Sequence, residues 1–288
     1  MTQTKTKISL AVLFITFALM ALAHIDKANA QSAGVTSIEP NVEYNQYDVT
    51  GDGRADYLYV SAMHDDYNYT VKTSININGK RCYSKKTSGW LKDLDIVTLK
   101  NKKAFIHLHI ADEDERAIVW KLFQFRGNKL KEKLNIRNII KKKVDKRTGY
   151  IKKVKGNSIV IHYRACTFTT GITNMDIKCR WNGSKFKANK TTKAISILNK
   201  NTGRYKRNNL TIAKKVNVYK TCKAKRAKFI AKKGQRVNLL QGKIVGGKLC
   251  VKIKRRSDGK TGWVKSFKKR YHNRSGIVVL FKQGIYAP

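Results

Sequence analysis

Proline is almost missing from this chain: Pro40 and Pro288 are the only two among 288 residues. No Pro-rich segment therefore marks a domain boundary. Helical periodicity is scarce beyond the first thirty residues, which argues against a helical bundle. Acidic residues nearly vanish from the second half. Residues 131–288 carry four acidic side chains against 45 basic ones, whereas residues 31–130 are balanced at 13 against 14. A pair of catalytic carboxylates, the minimum for hydrolysing a glycosidic bond, would have to come from the N-terminal half. Apart from Ile8–Ala23, no apolar run approaches the length of a membrane span. Cysteine is sparse and odd in number, with five residues at 82, 166, 179, 222 and 250. Their spacings do not make a zinc knuckle, and an exported chain with five would keep at least one thiol free. Cys166 and Cys179 flank TTGITN, and a hairpin there would set them opposite each other. Cys222 and Cys250 share the C-terminal part. For both pairs, buried free thiols are the alternative.

What is present begins with an export signature. Lys5 and Lys7 precede ISLAVLFITFALMALA, and Ala28-Asn29-Ala30 supplies a small-residue cleavage site before Gln31. A basic n-region, a short apolar core and an A-x-A site predict a signal peptide over 1–30 and a secreted, extracellular, soluble product. No cysteine stands near the cleavage site, so a lipid anchor is not expected.

The basic excess of the second half predicts attraction to polyanions: wall teichoic acid, peptidoglycan carboxylates, anionic glycans or nucleic acid. The charges are interleaved with apolar residues, as in AKKVNVYKTCKAKRAKF, rather than collected in a tail. A folded β-domain with a cationic solvent face has this pattern.

Short alternating runs rich in Val, Ile, Tyr and Thr recur between turn residues. Five hairpin turns are predicted: Asn78-Gly79, Asn101-Lys102-Lys103, Arg126-Gly127-Asn128, Gly156-Asn157 and Asn182-Gly183. The fold class is therefore all-β. An antiparallel β-domain over 38–195, either propeller-like or a sandwich, is followed by a polar linker at 200–209 (KNTGRYKRNN). A second β pattern occupies 210–275, and 276–288 reads as a tail.

Two segments carry resemblances. VNVYKT at 216–221, the hairpin around Gly234, KLCVKIK and GKTGWVK at 259–265 resemble bacterial SH3-like (SH3b) domains. That resemblance implies a small barrel that binds cell-wall components or peptides, with Trp263 and Tyr219 in its core or groove wall. Lys252, Lys254, Arg255 and Arg256 are the densest basic cluster there and candidates for phosphate or carboxylate contact. DVTGDGRAD at 48–56 resembles the calcium loop of FG-GAP-type repeats. Asp48, Thr50, Asp52 and Asp56 offer side-chain oxygens and Arg54 its carbonyl, with Gly53 at the sharp turn, so calcium is the implied structural cofactor. Thr50 replaces the usual Asp or Asn. Tyr59 and the strand-like YLYV after it exclude an EF-hand. The alternative is an Asx-rich turn that leads into a strand.

Catalytic constellations are not compelling. His107 and His109 share one face of a strand, where solvent-facing polar positions are expected, and no third metal ligand is evident. His162 and Cys166 lie in one strand about 13 Å apart, too far for proton transfer. The expectation is a non-enzymatic binding protein. It would attach to cell-wall or other anionic envelope polymer through its SH3-like part and carry a structural calcium site in its N-terminal part. The alternatives are a wall hydrolase with an unrecognised active site and a general polyanion or nucleic-acid binder.

Overall fold

The computed structural model describes residues 32–273 and 276–287, and the expected signal peptide lies outside them. The chain is all-β: among the described residues the only helical element is a 3-10 turn at Ile136–Asn138. β1 (Gly34–Ser37) is followed by a four-stranded antiparallel meander of β2 (Glu43–Tyr47), β3 (Asp56–Asp65), β4 (Thr70–Ile77) and β5 (Lys80–Ser88). A second meander comprises β6 (Trp90–Thr98), β7 (Ala104–Ala111), β8 (Ala117–Arg126) and β9 (Lys129–Asn135), with β1 added beside β6. The third sheet is built from β10 (Val144–Val154), β11 (Ser158–Thr167), β12 (Gly171–Trp181) and the short β13 (Phe186–Ala188). All five predicted hairpin turns fall between paired strands. Asn78 and Gly79 both have positive φ, 51° and 76°, which is the backbone a tight two-residue hairpin demands.

These sheets are stacked. Ile96, Ile106, Leu108, Ile110 and Val119 of the second sheet pack on Leu58, Val60, Val71 and Ile75 of the first. The other face of the second sheet, with Val97, Phe105, Trp120 and Leu122, packs on Ile159, Ile161, Tyr163 and Ile177 of the third. The second sheet is thus covered on both sides, and every residue of β7 is buried. Its near-continuous apolar sequence, AFIHLHIA, follows from that position. Each fully buried aliphatic side chain contributes about 1.5–3 kcal/mol to the stack.

β14 (Thr191–Thr192), β15 (Ile195–Leu198), β16 (Tyr205–Lys206) and β17 (Leu210–Thr211) stitch the third sheet to a fourth. β15 and β16 extend the third sheet, whereas β14 and β17 pair with β20 (Arg236–Val245). The fourth sheet also holds β18 (Val216–Tyr219), β19 (Ala227–Ala231), β21 (Lys248–Arg255) and β22 (Thr261–Val264), in the order β14-β20-β21-β22-β18-β19. The small barrel expected here is not closed. β14 and β17 occupy the edge of β20 that does not pair with β21, so β19 cannot reach it. The inner face of this open sheet, with Val218, Leu239, Val251 and Ile253, joins the core that holds the third sheet.

Two expectations at the C-terminal end are corrected by the same packing. The linker at 200–209 contains a paired strand, β16. The tail at 276–288 is built in after the short pair β23 (His272–Asn273) and β24 (Gly276–Ile277), with Val279, Leu280 and Phe281 buried. Backbone amides of Leu280 and Lys282 donate to carbonyls of Thr169 and Thr211, and that of Ile172 donates to Ile285. The apolar run IVVLF at 277–281 supplies those buried side chains.

Candidate functional site

The loop from Asp48 to Asp56 connects β2 to β3 and is closed by its own carboxylates. Asp48 accepts from the amides of Gly51, Asp52 and Gly53, at 2.5, 3.2 and 2.9 Å. Asp52 accepts from the amide of Arg54 at 2.9 Å. Asp56, buried at 2 % exposure, accepts from Val49 and Thr50 through Oδ2 and from the Asn78 side-chain amide through Oδ1. The alternating acids thus serve first as an Asx-type scaffold for the turn. Among the described residues no group of three or more His, Cys, Asp or Glu is arranged to hold a metal. Carboxylate oxygens have further lone pairs, however, and the Oγ1 of Thr50 is buried in the loop without a hydrogen-bond partner. That oxygen fits the coordination that the sequence assigns to position 50.

In the fourth sheet, Lys252 on β21, Trp263 on β22 and Tyr219 on β18 are direct cross-strand neighbours, so they share one face. It is the face turned away from the main core. Trp263 is only 9 % exposed and packs with Cys222, Cys250 and Val245 in a small separate cluster. The Lys265 ammonium sits 4.2 Å above the Tyr219 ring. Lys254 is exposed on the same face as Lys252. The two arginines are already engaged. Arg255 makes a bidentate pair with Asp258, which holds that carboxyl far below the usual range, and it lies over Phe229. Arg256 donates to Asn209 at 2.8 Å. Of the predicted basic cluster, the lysines are therefore the available charges.

A second basic feature was not legible in the sequence. A cavity of about 680 Å³ opens where the Ala213–Lys215 segment meets the C-terminal segment, and it is lined by Lys200, Lys214, Lys215, Lys233 and Lys282 together with Tyr271. No acidic side chain lines it among the described residues. Lys214 lies over the rings of Phe267 and Tyr271, and burial pulls its pKa down to about 8. An anion beside it would offset the desolvation that lowers this value. These five lysines come from four separate places in the chain: backbone bonds between Ile212 and Gly234–Gln235 join two of them, and the docked residues 276–287 add the others.

The thiols also sort themselves out. Cys166 faces Ile172 across the β11–β12 hairpin and Cys179 faces Ile159, so the two are at opposite ends of it. The hairpin turns at 168–170, earlier than TTGITN suggested. Burial pushes Cys166 up to about 11 and Cys179 up to about 12, leaving them inert thiols. Cys222 and Cys250, in contrast, lie together in the small cluster with Trp263, and Lys243 and Lys265 are nearby. Their mutual interaction raises the Cys222 pKa and lowers that of Cys250.

His107 and His109 are not solvent-facing. They are 0 % and 2 % exposed, because β7 is covered on both faces, and each donates to a carboxylate on β6: Asp95 and Asp93, both at 2.7 Å. Trp120 Nε1 donates to His107 Nε2 at 3.1 Å, which completes that ring's partners. No family model, no curated protein and no solved structure matches the chain, so its reading rests on these sites alone.

Proposed function

We propose that this is a secreted, non-enzymatic binding protein that attaches to anionic cell-envelope polymer, with teichoic acid or the carboxylates of peptidoglycan as the ligand class. The single observation that supports it most is the lysine-lined cavity, whose wall holds five lysines and no acid to neutralise them. Phosphodiester or carboxylate groups spaced along a polymer would satisfy these lysines in turn. Lys252 and Lys254 extend the attraction over the outer face of the fourth sheet, beside the Tyr219–Trp263 pair. The net charge supplies long-range capture and the cavity supplies the seat. The 48–56 loop holds a structural calcium ion in this reading, with Asp48, Thr50, Asp52, Asp56 and the Arg54 carbonyl as its ligands. The unpartnered Thr50 hydroxyl is the support for that part.

The test is a pull-down of the chain on purified wall fractions, with and without calcium. Retention on teichoic-acid-bearing wall and loss of retention on wall stripped of it is the expected result. Equal retention on both fractions removes teichoic acid as the ligand, and retention on neither removes the function.

A further inference from the structure

A second pocket lies where the second and third sheets meet. Its volume is about 330 Å³, and His109, Asp93, Tyr150, Arg164, Asn174 and Tyr205 are among its lining. Gly149 in its wall has φ +140°, and a Cβ there would stand 1.9 Å from the His162 carbonyl oxygen and 3.1 Å from the Trp120 ring. Only glycine allows the third sheet to approach the His109–Trp120 stack this closely.

Two buried polar atoms of this lining have no partner: His109 Nε2 and Asn174 Oδ1. His109 donates its Nδ1 proton to Asp93, so Nε2 carries a lone pair. Burial, outweighing the Asp93 hydrogen bond, lowers the His109 pKa and keeps the ring neutral. The Asn174 amide lies beside the Tyr205 hydroxyl, and its unpartnered Oδ1 is an acceptor. Buried polar groups are rarely left unsatisfied, and each costs about 1–3 kcal/mol when it is. Both orphans are acceptors, so whatever occupies the pocket, water or ligand, must bring donors. A simple anion has none. An ammonium could donate to both orphans but could accept from neither Lys92 nor Arg164, which share the lining with Asp93 and Glu115. Hydroxyl groups satisfy both sides, since they donate to His109 and Asn174 and accept from Arg164 and Lys92. Tyr150 and Tyr205, 50 % and 38 % exposed, add aromatic faces against which C–H groups of a ring can pack.

We propose that this pocket is a carbohydrate-binding site that seats a mono- or disaccharide unit by its hydroxyl groups. The site is independent of the lysine cavity and of charge on the ligand. Uncharged sugars, measured at a salt concentration that screens the lysines, therefore separate the two readings.

The experiment is saturation-transfer NMR of the whole chain at high salt with methyl β-glucoside, N-acetylglucosamine and cellobiose. Transfer to at least one of these sugars is expected, with binding about tenfold weaker or worse in Tyr150→Ala and in Asn174→Ala. Tyr150 is half exposed, so that variant keeps its fold. No transfer to any of the three sugars overturns the proposal. So does transfer that both variants leave unchanged.

Discussion

Replacing Asp56 by alanine removes one buried carboxylate and leaves three donors facing nothing. The amides of Val49 and Thr50 lose their acceptor at 2.7 and 2.8 Å, and the Asn78 side chain loses its at 2.7 Å. A hydrogen bond to a charged acceptor contributes about 1.5–3 kcal/mol, and such bonds in one cluster do not add fully. Thr50 and Asn78 lie near solvent, so water recovers part of what they lose. The expected net loss is about 3 kcal/mol, concentrated on the β2–β3 connection and the β4 end that Asn78 fastens to it. For a chain of this size that lowers the melting midpoint by roughly 6–12 °C. The assay is thermal and urea unfolding of wild type and Asp56→Ala in a chelator, so that any bound cation is excluded from the comparison. Added calcium should then raise the midpoint of wild type and leave that of the variant unmoved. A loss below about 1 kcal/mol in chelator would refute the reasoning that the carboxylate fastens this loop.

Further outcomes follow from other sites. The buried His109 has its folded pKa below the ordinary value of 6.5, so the unfolded chain takes up the proton first. Stability is then complete above that value and declines as pH falls below it, while Asp93 and Asp176, held below 3.8, lose their contribution only at more acid pH. Urea midpoints from pH 7 to pH 5 should fall in wild type, and a His109→Gln variant should lack that slope; a slope unchanged in the variant assigns the effect elsewhere. Oxidised glutathione should join Cys222 to Cys250, the two thiol hydrogens passing to the glutathione, and leave Cys166 and Cys179 as thiols. Non-reducing peptide mapping reads this, and a Cys166–Cys179 link would contradict the observed register.

The strands were legible because their turns were. Asn78-Gly79 and Gly127-Asn128 impose backbone geometries that few other residues tolerate, so five local signals located most of the first three sheets. The stacking of those sheets was not legible, since an alternating strand says which side is apolar but not what covers it. His107 and His109 show the consequence. Their spacing put them on one face, but whether that face met solvent depended on the third sheet, far along the chain. The barrel expectation failed for a related reason: Thr191–Thr192 and Leu210–Thr211 are too short to read as strands, and they occupy the edge of β20 that closure would need. Among the candidate site residues, the Asp48–Asp56 spacing was readable as a closed loop. Arg255 and Arg256 read as free charges because Asp258 and Asn209 gave no sign of being their partners. The lysine cavity left no local trace, because its members come from four places in the chain that only the tertiary fold makes neighbours.

The measurement that tests the central claim most directly is the salt dependence of binding to purified teichoic acid. It compares the wild-type chain with a variant carrying Lys200→Gln, Lys214→Gln and Lys282→Gln. The logarithm of the wild-type association constant should fall linearly with the logarithm of salt concentration. The variant should bind more weakly and with a shallower slope, by about one counterion for each lysine removed. A variant with the wild-type slope and affinity would contradict the lysine cavity as the polymer's seat.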